Sequence, residues 1–402
     1  GDDTITGLGG DDILIGGEGD DVIDGGTGKN RLYGEGGDDT ITSNGNGDVV
    51  DAGRGENTII IGGDTRGGEF SSGDGNDVYQ LSTGIQSSYD QQLKIESGGG
   101  DDVIDIDSHI GMSWSEFRLG YGNDTINVTS ALDFASYISG QSGDDNINIL
   151  AGSSQGSYSV NGGAGNDRLY LEGDFWNDNN SNQIFDGGTG DDIINAYNAV
   201  GLSGNDTYLL GGPGDDLIEG GSTDDLILGG FDDDVLIGGG GNDVIYGAIE
   251  EYTKGGYEGF DGIVGLWGYY GYDDSDSIDT AQFSGKSNDY KISRATDTES
   301  FGYVYYIQDK RDDSPDGLDT LYDIDRLKFT GAIREVFEAA NEAASRKTET
   351  AVSNSYEDYR TRNDEDNTVP TFQNESEWTN AYKSIFDMEF QSAYEDIWET
   401  LG

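Results

Sequence analysis

The side chains best placed to do chemistry in this chain are aspartates that recur every nine residues. From Gly211 to Tyr246 the sequence reads GGPGDDLIE, GGSTDDLIL, GGFDDDVLI and GGGGNDVIY. This is one pattern, G-G-x-G-x-D-x-U-x with U a large apolar residue, written four times without a gap. The sixth positions are Asp216, Asp225, Asp234 and Asp243, and the U positions are Ile218, Ile227, Leu236 and Ile245. A carboxylate beside a glycine-rich turn, with the turn's bare carbonyls around it, offers hard oxygen ligands. Oxygens at that density suit a hard divalent cation, and six to eight of them at around 2.4 Å is the preference of calcium.

Such ligands converge only if something stacks the turns. The first six residues of each nonapeptide are too rich in glycine for helix or ladder, because glycine supplies the positive φ angles of a tight turn. The last three form a strand of only about 10 Å, too short to bury its apolar residue alone. Two nonapeptides turned back on each other make an eighteen-residue coil. Stacked coils then line up the U residues as a seam and the aspartates and turn carbonyls along each flank.

The same step of nine runs through the first sixty residues. Sixth positions fall at Asp3, Asp12, Asp21, Asn30, Asp39, Asp48 and Asn57, with Ile5, Leu14, Ile23, Leu32, Ile41, Val50 and Ile59 as buried partners. Asn30 and Asn57 keep an oxygen but lose the charge, so weaker or empty cation sites are expected beside them. Between 61 and 210 the turns end at Asp77, Asp102, Asp124, Asp145, Asp167, Asp192 and Asp206, with spacings of 25, 22, 21, 22, 25 and 14. A spacing near 22 is one coil with about four residues added. The expected geometry keeps the ion-binding turn on one flank and puts longer polar loops on the other. Those loops are expected to carry Trp114, Phe117, Phe134, Tyr137, Phe175 and Trp176, as seam caps or loop packing before any recognition role.

The nonapeptide resembles the RTX repeat, the calcium-binding parallel β-roll. The resemblance implies a fold that is all-β: a parallel β-roll or β-helix solenoid with calcium-binding turns, a small antiparallel β module and a short α-helical tail. It implies several Ca2+ ions held by Asp3, Asp12, Asp21, Asp39, Asp48, Asp77, Asp102, Asp124, Asp145, Asp167, Asp192, Asp206, Asp216, Asp225, Asp234 and Asp243, with turn carbonyls such as those of Gly16, Gly19, Gly211, Gly214, Gly238 and Gly241. The motif is specific for fold and ion, not for activity, since RTX repeats accompany lipases, proteases, toxins, adhesins and surface-layer proteins.

The expected division is a roll array over 1–63, irregular coils over 64–210, a second array over 211–247, a Gly/Tyr-rich cap or linker over 248–272, a β module over 273–331 and a helical tail over 332–402. The run DDSPDGLDTLYDIDRLKF, 312–329, resembles a module that often follows RTX repeats. Asp312, Ser314, Asp316, Gly317 and Asp323 loosely copy an EF-hand loop, but Pro315 inside it and the missing twelfth Glu favour a plain turn. In the tail, Ile333, Val336, Phe337, Ala340 and Ala344 share one helical face. Its acidic, amphipathic character and its place after the repeats resemble a type I secretion signal; a packed helical hairpin is the alternative.

Acidic residues number 80 against 21 basic, a net charge of −59, so the chain without cations is expected to be largely disordered. Nucleic acid and anionic membranes are excluded as direct partners for want of basic patches. No cysteine is present for disulfides or thiolate sites, and no apolar run approaches a transmembrane length. The chain opens in mid-repeat, so an upstream portion is expected. His109 is the single histidine, and no G-x-S-x-G or H-E-x-x-H motif appears, so no catalytic residue is assigned.

The resulting expectation is a non-catalytic extracellular, secreted or surface-associated calcium-binding structural protein, of surface-layer, adhesin or matrix type. Its partners would be calcium, the type I secretion machinery, and cell-surface polysaccharide or further copies of itself. The alternatives are the C-terminal calcium-binding and secretion region of a larger secreted enzyme or toxin, and a carbohydrate-active β-helix enzyme.

Overall fold

A computed structural model describes residues 1–248 and 279–335, apart from breaks at 64, 83–84, 89, 107–110, 113, 130–135, 156–157, 177–182, 201–206, 297–302, 312–315, 323, 325 and 331. The expected cap or linker over 248–272 lies outside the described residues but for its first, and the helical tail outside them from 336 on. His109, Phe134 and Asp206 also lie outside them.

Short strands alternate between two fifteen-stranded sheets. Sheet one starts with Thr4–Thr6 and sheet two with Ile13–Glu18. Through the roll each strand pairs in parallel with the strand one coil later, and the register keeps the apolar residue of every repeat in line. In sheet one Ile5 pairs with Ile23, Ile23 with Ile41 and Ile41 with Ile59; in sheet two Leu14 pairs with Leu32 and Leu32 with Val50. From Ile23 onward these residues are almost wholly buried, each contributing about 1.5–3 kcal/mol against exposure.

The seam runs on through the irregular middle. Phe70, Ile95, Phe117, Ile138, Val160 and Phe185 register in turn along sheet two, and all are buried. Phe117 therefore corrects the loop expectation: it sits in the strand Glu116–Tyr121 and fills the slot of a repeat apolar residue. A large aromatic there is permitted because the seam is the inside of a long solenoid. Trp114 remains exposed on the loop side.

The antiparallel module is present, and it is fused to the roll. Thr280–Gln282 pairs in parallel with Val235–Ile237, and Leu318–Tyr322 with Val244–Ala248. Arg326–Phe329 then pairs in parallel with Thr280–Gln282. Among the described residues of the module, only the hairpin of Tyr290–Thr296 with Tyr303–Asp309, which adds to Leu318–Tyr322, and the strand Ala332–Glu335 run antiparallel. Ala332–Glu335 is thus a strand where the spacing of Ile333 and its neighbours predicts the start of a helix: pairing with Arg326–Phe329 outweighs local propensity. Residues 318–322 are likewise a strand and not the second half of an EF-hand loop. Phe283, Tyr290 and Phe329, with ring centroids 5.2–5.3 Å apart, plug the end of the seam. Arg311 holds the plug from outside, paired with Asp309 and Asp316 and lying over the Tyr290 ring.

Close stacking of turns sets a strict limit on side chains. Gly143 has φ +135°, and a Cβ there would overlap the carbonyl of Gly122 in the coil before it. Gly143→Ala should therefore destabilise the calcium-loaded chain by about 4 kcal/mol or more, as a backbone conflict with no soft neighbour. Thermal melting in saturating calcium measures this, and a melting point within a degree of wild type would contradict it.

Candidate metal centres

The turns that lead from sheet two into sheet one make up flank one, and they carry an unbroken ladder of sixth-position side chains. The backbone N–H of Asp21 donates to Oδ1 of Asp39 at 2.8 Å, that of Asp39 to Asn57, and that of Asn57 to Asp77. The series continues from Asp77 through Asp102, Asp124, Asp145, Asp167 and Asp192 to Asp216 at 2.7–2.8 Å, then to Asp234 at 2.9 Å. Asp3 opens it by donating to Asp21. One oxygen of each carboxylate is thereby spent on the coil before it.

The other oxygen has no hydrogen-bonding partner. Oδ2 of Asp21, Asp39, Asp77, Asp102, Asp124, Asp145, Asp167, Asp192, Asp216 and Asp234 is buried and unpaired. In the turns of Asp21, Asp39, Asp145, Asp167, Asp192, Asp216 and Asp234 it faces the first glycine of its own turn, with a main-chain carbonyl of the next turn beside several of them; the turns of Asp77, Asp102 and Asp124 begin instead with Ser72, Ser97 and Leu119. A Cβ on Gly140 would collide with both Asp145 Oδ2 and the Gly162 carbonyl, and one on Gly211 with Asp216 Oδ2 and the Gly229 carbonyl. Gly16 and Gly238 face Asp21 and Asp243 in the same way. The carbonyls of Gly19 and Gly241 lie against the close-packed Gly37 and Gly317, and Gly214 packs against the Gly190 carbonyl. An orphaned buried carboxylate oxygen beside a carbonyl, in a cradle only glycine leaves open, fits a hard cation with oxygen ligands.

Electrostatics agree. Burial pushes Asp77 up to about 6, and Asp102, Asp124, Asp145, Asp167 and Asp216 up to about 7. Asp192 reaches about 8 and Asp234 about 10, again chiefly through burial, with neighbouring carboxylates adding to it. The donated backbone N–H opposes the shift in every case and does not cancel it. These sites need a proton or a cation near neutral pH.

Flank two, formed by the turns from sheet one into sheet two, is ladder-like only at its ends. Asp12 donates to Asn30 and Asn30 to Asp48; far along the chain Asp225 donates to Asp243. Between them Asp48 registers with Gly68, Gly68 with Leu93, and Tyr158 with Gln183, so this row has no carboxylate there. Oδ2 of Asp12 and Asp243 and Oδ1 of Asp225 are orphaned, but Asp48 Oδ2 already accepts from the Ser43 hydroxyl and the Gly45 N–H. Gln183 registers with Thr207, and Leu209 with Ile227, so the residue in line with Asp225 is Thr207. That corrects the frame ending at Asp206: Leu209 enters the core while Tyr208 and Leu210 join an outer cluster with Leu228.

Two features escape the nine-residue pattern. The fifth positions form a second, exposed ladder of opposite sense, in which Asp38 donates to Asp20, Asn123 to Asp101 and Asp144 to Asn123. Its signal was present as the paired D-D and N-D of each turn. The other feature is Asn57, whose side-chain amide donates to the carbonyls of Gly53 and Gly55 at 3.4 and 3.1 Å. The amide bonds the turn carbonyls itself. Asn57→Asp should remove that internal donor and raise the calcium bound per chain by one ion, read by equilibrium dialysis. An unchanged count would contradict the reading.

Among the described residues no three His, Cys, Asp or Glu side chains converge on one point. Cation ligation here depends on main-chain carbonyls, which a side-chain inventory cannot reveal. Nor, among the described residues, is any helix long and apolar enough to cross a membrane.

The family described as RTX calcium-binding nonapeptide repeat (4 copies) matches residues 1–31, 24–59, 159–174, 200–236 and 210–245. No curated protein matches the chain. Among solved structures, the X-ray crystal structure of a hyperactive, Ca2+-dependent, beta-helical antifreeze protein from an Antarctic bacterium is similar at 23% identity. The likeness covers 61% of this chain and 85% of that one, with a TM-score of 0.36.

Proposed function

From the premise that the chain carries RTX calcium-binding nonapeptide repeats, we propose that it is an extracellular structural protein of the cell surface, exported by a type I system and folded by calcium outside. The observation that carries this reading is the flank-one ladder, in which carboxylates are buried with one oxygen unpaired. In calcium-poor cytosol those groups would have to be buried as bare charges, so the chain stays unfolded and competent for export. Outside, at calcium around 10⁻⁴ to 10⁻³ M, weak sites of this kind fill, and binding free energy becomes folding free energy. Asp21, Asp39, Asp77, Asp102, Asp124, Asp145, Asp167, Asp192, Asp216 and Asp234, with the carbonyls of their turns, are the ligands proposed on flank one. Asp3 at the open end, Asp12, Asp225 and Asp243 are proposed beside them; Asp48 is the weakest candidate, since protein donors already occupy its second oxygen. The surface-exposed acids of the fifth positions keep the loaded roll soluble while cations bridge it to polysaccharide or to further copies.

Intact producing cells provide the test. In millimolar calcium the chain should resist added protease, and in chelator it should be degraded while a cytoplasmic marker survives. Survival of the chain together with that marker under both conditions would overturn the extracellular reading.

A further inference from the structure

The two ladders do not stop at the last glycine-rich repeat. On flank one the backbone N–H of Asp234 donates to Oδ1 of Asp279 at 3.1 Å, across 45 residues of sequence. On flank two that of Asp243 donates to Oδ1 of Asp319 at 3.1 Å, across 76 residues. Asp279 and Asp319 thus hold the place that the next sixth-position aspartate holds elsewhere, and both are nearly fully buried. The strands after them complete the match: Ala281 registers with Leu236, and Leu321 with Ile245, both in the seam. The run Ser314 to Tyr322 is a nonapeptide without its first two glycines, with Gly317 fourth, Asp319 sixth and Leu321 eighth.

We propose that Asp279 and Asp319 complete the last calcium site of each flank, the one to which Asp234 or Asp243 contributes its unpaired oxygen, and so clasp the C-terminal module onto the end of the roll. The inference rests on the calcium-folding reading and extends it to residues that the repeat family does not match. What points to an ion is the oxygen opposite each newcomer. Oδ2 of Asp234 and Oδ2 of Asp243 are buried with no partner, and both parent residues are at most 1% exposed. A second carboxylate has been brought against each of them, where a structural turn would place a donor. Juxtaposed buried carboxylates of this kind need a shared proton or a shared cation.

The geometry also separates the two jobs of the module. Its aromatic plug of Phe283, Tyr290 and Phe329 covers the seam of the folded roll by apolar packing that needs no ion, whereas the clasps engage only with ions bound. Docking of the module is then a calcium-dependent step, made by the same chemistry as coil stacking but between segments distant in sequence.

Asp279→Asn and Asp319→Asn test this in the full chain, since asparagine keeps the oxygen that accepts the backbone N–H and removes only the charge. Equilibrium dialysis should give one calcium fewer per chain for each variant. Hydrogen exchange read by mass spectrometry should show the calcium midpoint for protection of residues 303–309 and 318–322 moving up by about tenfold or more, with the midpoint for residues 125–128 and 146–155 unmoved. Wild-type ion counts and an unmoved module midpoint in both variants would overturn the clasp. So would a module fully protected in chelator while the middle coils still require calcium, a result that leaves the calcium-folding reading standing. If the middle coils themselves are protected in chelator, the parent reading fails and the clasp falls with it.

Discussion

Chelation of calcium at pH 8 should convert the far-UV circular dichroism of the purified chain from β-structure to coil, and restoring calcium should reverse it. The argument is one of magnitude. Each unit of upward pKa shift is worth about 1.4 kcal/mol at pH values where the group must ionise. Asp102, Asp124, Asp145, Asp167 and Asp216 rise to about 7 and Asp192 to about 8 through burial. A few such groups are enough to offset a whole domain's stability of about 5–15 kcal/mol. Bound cations remove the penalty and add their own binding free energy at every rung. Magnesium at equal concentration should not substitute, because it demands octahedral geometry near 2.0–2.1 Å and gives up water reluctantly. A chain that keeps its β-structure in chelator would refute the mechanism, and the aspartates would then be solvated turn residues of an ordinary solenoid.

The second large effect is that acid should replace calcium. In chelator, lowering the pH from 8 to about 4.5 should restore β-structure. Folded-state pKa values raised above the unfolded value of about 3.9 mean that the folded chain binds more protons over this window. Stability therefore falls as the pH rises: the penalty is absent below about pH 4, grows between there and 8 for most of these groups, and continues to grow up to about 10 for Asp234. As the pH falls, Asp234, raised to about 10, is neutralised first and Asp77, raised to about 6, last. With calcium present the dependence inverts, since protons compete for the same oxygens and a higher calcium concentration is needed at lower pH. A pH titration of ellipticity in chelator and in calcium reads both slopes. If acid left the chelated chain as coil, the buried carboxylates would not be what keeps it unfolded.

The parts of this architecture that are periodic could be read directly. A step of nine gives the coil, and each apolar residue two places after an aspartate points inward, as Ile23, Ile218 and Leu236 do. The sixth-position aspartates from Asp77 to Asp192 could be recognised despite irregular spacing because glycine still marks their turns. Where glycine is missing the pattern goes silent: Asp279 and Asp319 take their places through strand pairing across 45 and 76 residues. The frame at Asp206 fails for a related reason. Tyr208 and Leu209 are both apolar enough for the seam, and only pairing of Leu209 with Ile227 decides between them. The Asn57 amide was unreadable because the two carbonyls it bonds carry no side-chain signature.

The parallel stacking has a mechanical consequence. Each regular coil holds 18 residues between successive rungs, as from Asp21 to Asp39, yet lengthens the roll by a single strand spacing of about 4.8 Å. Pulled straight, the same residues span about 60 Å. A load applied to the two ends of the chain therefore meets a series of closed loops, each releasing more than ten times its resting length when its rung opens. The force at which a loop opens depends on how many ions hold it. Calcium concentration then sets the yield point of the tether, and chain that has paid out under tension rewinds when the load drops and the ions return.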